Sequence, residues 1–526
     1  MLIPLLFSAA LWASAHGAKR SYTLKLENKV ISPDGHPRSA IVVNGVYPGT
    51  PIIAKKHDDL EILVVNNLTD DTMPRGTSIH WHGLFMNRTV YEDGAAWISQ
   101  CPIAPGDSYP YRFNVGAQTG TYWYHSHITT QYCDGLRGPL IIYDDHDPLR
   151  HLYDVDNEST IITLSDWFQE PSPAAFQSVG VPRSVLVNGL GREFFGNSPL
   201  TVVKVATNTR YRFRLINAGC TATIEFAIDG HSLTVIEIDG IEVHPYPTNL
   251  LSLTPGQRVS VVVNANQTVG NYWIRAFALW EGISPIYDDS LAIFRYDGAP
   301  VVNPKTNRPQ GAVLRSEEAL VPYGIPAQKP VEADVKINLN FTFPVDFWTL
   351  GNTSFRVPPL PVLLQVLNGA NPFVAEPNGT EITVRPTRES IFYLPRNKLI
   401  EVSIPGGAAL GPHPFHLHGH SFQVVRSAGS KKYNYINPPI RDVVNTGEAG
   451  DNVTIRFRTD NPGPWYLHCH VDFHLEGGLA VLFLEEPSDI REHVKPSKEW
   501  QQLCPKWDAL KTGRKYSKSV WPIRPE

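Results

Sequence analysis

Residues 468–479 read His468-Cys469-His470-Val471-Asp472-Phe473-His474-Leu475-Glu476-Gly477-Gly478-Leu479, which places one thiol and three imidazoles close together. The apolar run Trp465-Tyr466-Leu467 just before them predicts an extended strand. Successive strand side chains face opposite ways, so His468 and His470 share one face and Cys469 takes the other. A thiolate with two imidazoles and a weak or missing axial ligand is the donor set of a blue-copper electron-transfer site. Cys469 and His474 supply two of its members. His468 and His470 then serve a second metal centre, joined to the first by a few covalent bonds that give electrons a through-bond route.

Three further segments carry His-x-His pairs: His80-Trp81-His82-Gly83, Trp123-Tyr124-His125-Ser126-His127 and His413-Pro414-Phe415-His416-Leu417-His418-Gly419-His420. One such pair also suits a zinc hydrolase or a small single-metal barrel. Four pairs exceed what a catalytic zinc needs, which is about three protein ligands and an open position. Eight imidazoles divide over three coppers as two, three and three, a cluster that can reduce dioxygen without releasing partly reduced species. Ser126 lies between two histidines without a nucleophile-elbow context, and no nucleotide-binding glycine motif is present.

These residues need a frame to hold them. Short alternating runs such as Ser21-Tyr22-Thr23-Leu24-Lys25-Leu26, Leu60-Glu61-Ile62-Leu63-Val64-Val65 and Val453-Thr454-Ile455-Arg456-Phe457, separated by Gly, Pro, Asn and Asp, predict antiparallel β-sandwiches. The 45 prolines argue against long helices. Three phrases look like one strand repeated: Gly120-Thr121-Tyr122-Trp123-Tyr124-His125, Gly270-Asn271-Tyr272-Trp273-Ile274-Arg275 and Gly463-Pro464-Trp465-Tyr466-Leu467-His468. The middle copy has no histidine, so the middle domain is expected to hold no metal. With 526 residues, about three domains of roughly 150 residues are expected. Their boundaries fall at 16–147, 148–312 and 313–526.

Residues 1–15 end in Ala13-Ser14-Ala15 after an apolar core and read as a secretory signal peptide, although Lys and Arg are missing from its start. No stretch reaches the 18 or so apolar residues of a membrane span. The net charge of −5 gives no basic footprint for nucleic acid. Sequons at Asn67, Asn87, Asn157, Asn266, Asn340, Asn352, Asn378 and Asn452 predict a secreted, extracellular glycoprotein. Five cysteines in such a chain are explained by two disulfides among Cys101, Cys133, Cys220 and Cys504, with Cys469 kept as a thiolate by its metal.

On these four copper segments, and on phrases such as Asp229-Gly230-His231 and Arg456-Phe457-Arg458-Thr459-Asp460-Asn461-Pro462-Gly463-Pro464-Trp465, the chain resembles the multicopper oxidases, specifically the fungal laccases of the basidiomycete type. The resemblance implies an all-β fold of three consecutive cupredoxin-like Greek-key β-sandwich domains and four copper ions. His413, Cys469 and His474 would hold the type 1 copper and His80 with His416 the type 2 copper. His82, His125, His127, His418, His468 and His470 would hold the type 3 pair. The cluster would lie between the first and third domains, with the middle domain helping to form the substrate pocket. Disulfides would join Cys101 to Cys504 and Cys133 to Cys220. Leu479 falls at the axial position, which it cannot ligate. Asp93 and Asp472 match acidic positions near the cluster, suited to relaying protons or orienting imidazoles.

The implied activity is one-electron oxidation of phenols or aromatic amines at the His474 edge, coupled to four-electron reduction of O2 to water by a monomeric enzyme. Roles in lignin degradation or in detoxifying lignin-derived products fit it. Many relatives of this type carry an acid after the cysteine matching Cys220, where this chain has Thr221. Glu225 shares a strand face with Thr221 and is expected to be a solvated strand glutamate, with substitution for the missing acid as the rival reading. An Fe(II) or Mn(II) oxidase is the alternative, with Glu225, Glu476 or Glu281 converging beside the electron-entry histidine. A non-catalytic copper carrier has no use for the second cluster.

Overall fold

A computed structural model describes residues 17–178, 180–193, 196–279, 291–308, 313–314, 317–344, 347–351, 353–369 and 390–513. The expected signal peptide, Glu281, residue 312 and the sequons at Asn352 and Asn378 lie outside them.

The strands sort by sequence into three two-sheet sandwiches. Strands between Lys19 and Tyr143 form two four-stranded sheets, those between Ile161 and Leu314 two six-stranded sheets, and those between Ile391 or Val335 and Glu485 two five-stranded sheets. The alternating runs are the cause: in the strand Asp59–Asn67, Leu60, Ile62 and Val64 turn into the core while the residues between them face outward. The sandwiches are not purely antiparallel. Lys19–Ile31 runs parallel to Asp59–Asn67, and further parallel pairs include Ile52–Lys55 with Arg137–Tyr143 and Ile391–Leu394 with Ala480–Glu485. Alternation reports a half-buried strand but not the direction of its neighbour.

The repeated phrase occupies one architectural position in all three units. Gly120–Ser126, Asn271–Leu279 and Pro464–Cys469 each pair antiparallel with the strand that follows, and that strand then pairs parallel with an earlier one. The strand Val313–Leu314 pairs with Leu250–Leu253, so the second sandwich reaches past residue 312.

One continuous apolar core runs through the first and third sandwiches, and the second has its own. Cys101 is bonded to Cys504 on the helix Leu503–Gly513, and Cys133 to Cys220, which ties the first sandwich to the C-terminal helix and to the second. Cys469 is the free, buried cysteine. Among the described residues no helix is long and apolar enough to cross a membrane. Asn67, Asn87, Asn157, Asn266 and Asn340 are exposed and Asn452 is half-buried.

Candidate metal centres

The histidine strands are buried on both faces: every residue of Ile79–His82, Gly120–Ser126, Pro414–Leu417 and Pro464–Cys469 is buried. In the first sandwich, ladder register sets His80 opposite His125. In the third it sets His416 opposite His468 and Phe415 opposite Cys469. Directly opposed residues have Cβ atoms about 4.5–5.5 Å apart, so each ladder builds a cross-strand pair of imidazoles.

The two ladders meet face to face. The donor atoms of His82, His125 and His470 lie within 4.8 Å of one another, as do those of His127, His418 and His468. His80 Nε2 is 3.5 Å from His416 Nε2. Eight imidazoles from both ends of the chain therefore gather as two, three and three. Apart from them, His413 Nδ1 is 3.1 Å from His474 Nδ1, and Cys469 Sγ lies 3.7 Å from the first and 3.6 Å from the second. His474 is carried by the short helix Asp472–Glu476, five residues beyond Cys469.

The donor set fits a soft metal cation. Burial, then the mutual repulsion of neighbouring rings, holds His82, His416 and His418 well below the ordinary histidine range. Burial also brings His413 and His474 down to about 3 and His468 to about 4. Neutral rings keep a lone pair for a metal. Hydrogen bonds direct that lone pair: Nδ1 of His80, His125, His416 and His468 faces a backbone carbonyl oxygen at 2.8, 2.8, 2.8 and 2.9 Å, which leaves Nε2 for the cluster. Nε2 of His125 and of His127 is buried with no hydrogen-bond partner among the described residues. A cation within each of their two sets would satisfy both.

Asp93 has Oδ2 3.0 Å from Nδ1 of His418 and Oδ1 3.3 Å from Nδ1 of His80. Asp472 is placed differently. Its N–H donates to Cys220 O, its Oδ2 is 3.5 Å from Cys133 Sγ, and burial drives its carboxyl well above the usual range. Beside it stands Tyr132, whose hydroxyl is 3.3 Å from His470 Nδ1. Leu479 is fully buried and its carbonyl accepts from Cys469 N–H at 3.0 Å. The fourth histidine of its segment, His420, is diverted to Glu485 at 2.9 Å.

A cavity of about 380 Å³ opens on His474 and is lined also by Thr221, Thr223, Ser252, Glu317 and Glu448. The Thr221 hydroxyl donates at 2.7 Å to Asp166, whose carboxylate also accepts the N–H groups of Cys220, Thr221 and Ala222. The expectation of a solvated Glu225 is overturned. It is buried, with an ion pair to Arg308 at 3.7 Å, because its cross-strand neighbours Phe277 and Ser252 flank it on the same face and Arg308 lies over the Phe277 ring beside it. Glu476 lines a second, mostly apolar cavity of about 220 Å³ that reaches His127 and Tyr466 instead. Carboxylates at the His474 cavity come from Glu317, Glu448 and Asp451, which no sequence signal marks.

Three family models, each described as multicopper oxidase, match residues 25–147, 158–299 and 355–489. The chain is 45% identical over 502 residues to Laccase-5 of Trametes villosa, covering 93% of each chain. It is 46% identical to the laccase of Phlebia radiata, covering 92% of this chain and 93% of that one. Among solved structures it resembles the laccase of Botrytis aclada with a TM-score of 0.82 and 33% identity, covering 95% and 94%.

Proposed function

The chain belongs to the multicopper oxidase family as an oxidoreductase of the laccase type with three cupredoxin-like domains, and from that membership we propose which residues hold its copper and how they work. His413, Cys469 and His474 hold one type 1 copper. His80 and His416 hold one type 2 copper, and His82, His125, His127, His418, His468 and His470 hold a type 3 pair. Bound there, copper supplies one-electron acceptance at the thiolate site and dioxygen reduction at the cluster. The breaks near residues 147 and 312 separate a first domain and a third that share the cluster from a second that walls the substrate cavity.

The observation that carries this reading is the position of Cys469. Its sulfur faces His413 and His474, while its two neighbours in sequence, His468 and His470, belong to the other group of histidines. A few covalent bonds then link the site that receives an electron to the site that uses it.

His474 is the point of entry. It is 4% exposed and lines the larger cavity, wide enough for one aromatic ring, so a phenol or aromatic amine gives up an electron at its edge. Four substrates each lose one electron, and O2 with four electrons and four protons becomes two waters. Asp93 orients His418 and His80, and Asp472, whose carboxyl burial pushes upward, stands beside Tyr132, which contacts His470. The apolar cavity at His127 admits a small uncharged molecule such as O2 while the rings stay shielded from bulk water. We assign the protein to the extracellular space as a monomeric glycoprotein, acting on lignin or lignin-derived aromatics.

Oxygen uptake by copper-loaded protein with 2,6-dimethoxyphenol or with Fe(II), beside a Cys469→Ser control, tests this. Phenol turnover that vanishes in the control supports it. A strong preference for Fe(II) replaces it with a metallo-oxidase.

A further inference from the structure

His82 is held the opposite way round from its neighbours. His80, His125, His416, His418, His468 and His470 each engage a protein partner through Nδ1. His82 engages one through Nε2, which lies 3.2 Å from Asp442 Oδ1, and turns Nδ1 inward to 3.1 Å from His470 Nε2. The ring nitrogen that carries the proton is set by such a bond, and a ring turned this way offers its other nitrogen to the cluster.

Asp442 is fixed in turn by the second sandwich. Arg258, on the strand Arg258–Ala265, donates Nη1 to Asp442 Oδ1 at 2.6 Å and Nη2 to Oδ2 at 2.7 Å. Its Nε donates to Thr121 O in the first sandwich at 3.0 Å, and its own N–H to Asp239 at 2.8 Å. Arg258 and Asp442 are essentially without solvent exposure. Two residues earlier, Gly256 has φ +87°, and a Cβ there would lie 2.9 Å from His470 Cδ2 and 3.1 Å from His82 Cε1. The backbone at Gly256 thus lies close against both rings.

We infer that Arg258, from the sandwich that carries no candidate ligand, is a positioning residue for the cluster: it clamps Asp442 so that Asp442 takes Nε2–H of His82 and leaves Nδ1 facing His125 and His470. The inference rests on the ligand assignment proposed above. A planar guanidinium holds both carboxylate oxygens at once, whereas a lysine ammonium holds them only as a point charge, so Arg258→Lys keeps the charge and loses the orientation.

The test compares copper-loaded wild type, Arg258→Lys, Asp442→Asn and Arg214→Lys. The last loosens a contact to the same Thr121, through its hydroxyl, without touching His82. Copper per chain is followed against a chelator, with the thiolate-copper colour, the paramagnetic resonance signal and the melting temperature. Arg258→Lys and Asp442→Asn are expected to release cluster copper about 10- to 100-fold more readily. Both keep the thiolate colour, and Arg214→Lys, which gives up a two-point contact to Asp156, lowers the melting temperature while keeping cluster copper and its signal. The inference is overturned if Arg258→Lys and Asp442→Asn both retain copper with an unchanged signal, or if every variant loses colour and cluster copper together with its melting temperature. Should Arg258→Lys not fold, Asp442→Asn alone decides in the same way. If wild type takes no copper among the histidines, the ligand assignment itself fails.

Discussion

Asp93 Oδ2 lies 3.0 Å from Nδ1 of His418, a contact that joins the first sandwich to the third across the histidine cluster. The carbonyl of the same residue accepts from Nδ1 of His80 at 2.8 Å. One aspartate therefore sets two imidazoles, one by its side chain and the other by its backbone. Asp93→Ala should lower cluster metal retention or turnover by about 10- to 100-fold, the usual cost of losing such an orienting partner. Asp93→Asn should lose less, since it still offers an acceptor to His418. Copper content and oxygen uptake check this, and an alanine variant equal to wild type in both would sink it.

The Leu479 side chain has no atom that can ligate, so under the proposed assignment the oxidised type 1 copper would lack the help of a thioether. Leu479→Met is expected to lower the potential of that site by on the order of 60 mV, a tenfold shift in a one-electron equilibrium. Redox titration of the thiolate-copper absorption measures it, and an unchanged or raised potential contradicts the axial role.

Thr221 lines the cavity, but its hydroxyl is committed to Asp166 at 2.7 Å. Thr221→Val should cost about 1–3 kcal/mol of stability, the cost of removing one donor from a buried acceptor. It should leave phenol kcat/KM within about twofold, well under 1 kcal/mol of transition-state binding. A tenfold loss of kcat/KM without a change in melting temperature would show that Thr221 binds substrate after all.

Glu92 is buried beside Tyr109, whose hydroxyl donates to it at 2.9 Å, and burial raises its carboxyl from 4.5 to about 8. The unfolded chain ionises this group above about 4.5 while the folded chain keeps it protonated up to about 8. In that window the folded state binds more protons, so its contribution to stability is present at low pH and declines as pH rises. Glu92→Gln should therefore raise stability by up to about 3 kcal/mol at pH 7 and by nothing measurable at pH 4. Melting curves at the two pH values decide it, and an equal effect at both would disprove the assignment.

Much of this protein can be read from local pattern. Alternation along a strand is a two-residue property, so His468-Cys469-His470 already separates the sulfur from its flanking imidazoles. The repeat of Gly120–His125 in Gly270–Arg275 and Gly463–His468 marks one strand of three sandwiches, and the missing histidine in the middle copy marks the unit without candidate ligands. The odd cysteine singles out a thiol because the other four pair.

Tertiary packing decided what each side chain meets. Strand alternation left Glu225 on a face whose covering by adjacent strands and Arg308 no local pattern records. Nothing within residues 413–420 sends His420 to Glu485 while His413, His416 and His418 join the metal sets. His82 meets Asp442, 360 residues away, and Asp442 in turn meets Arg258 from the second sandwich. Sequence fixes which atoms a segment can offer, since donor type and side-chain direction are local. The nitrogen a buried ring presents depends on the partner that takes its other proton, and only the packing of the three sandwiches supplies that partner.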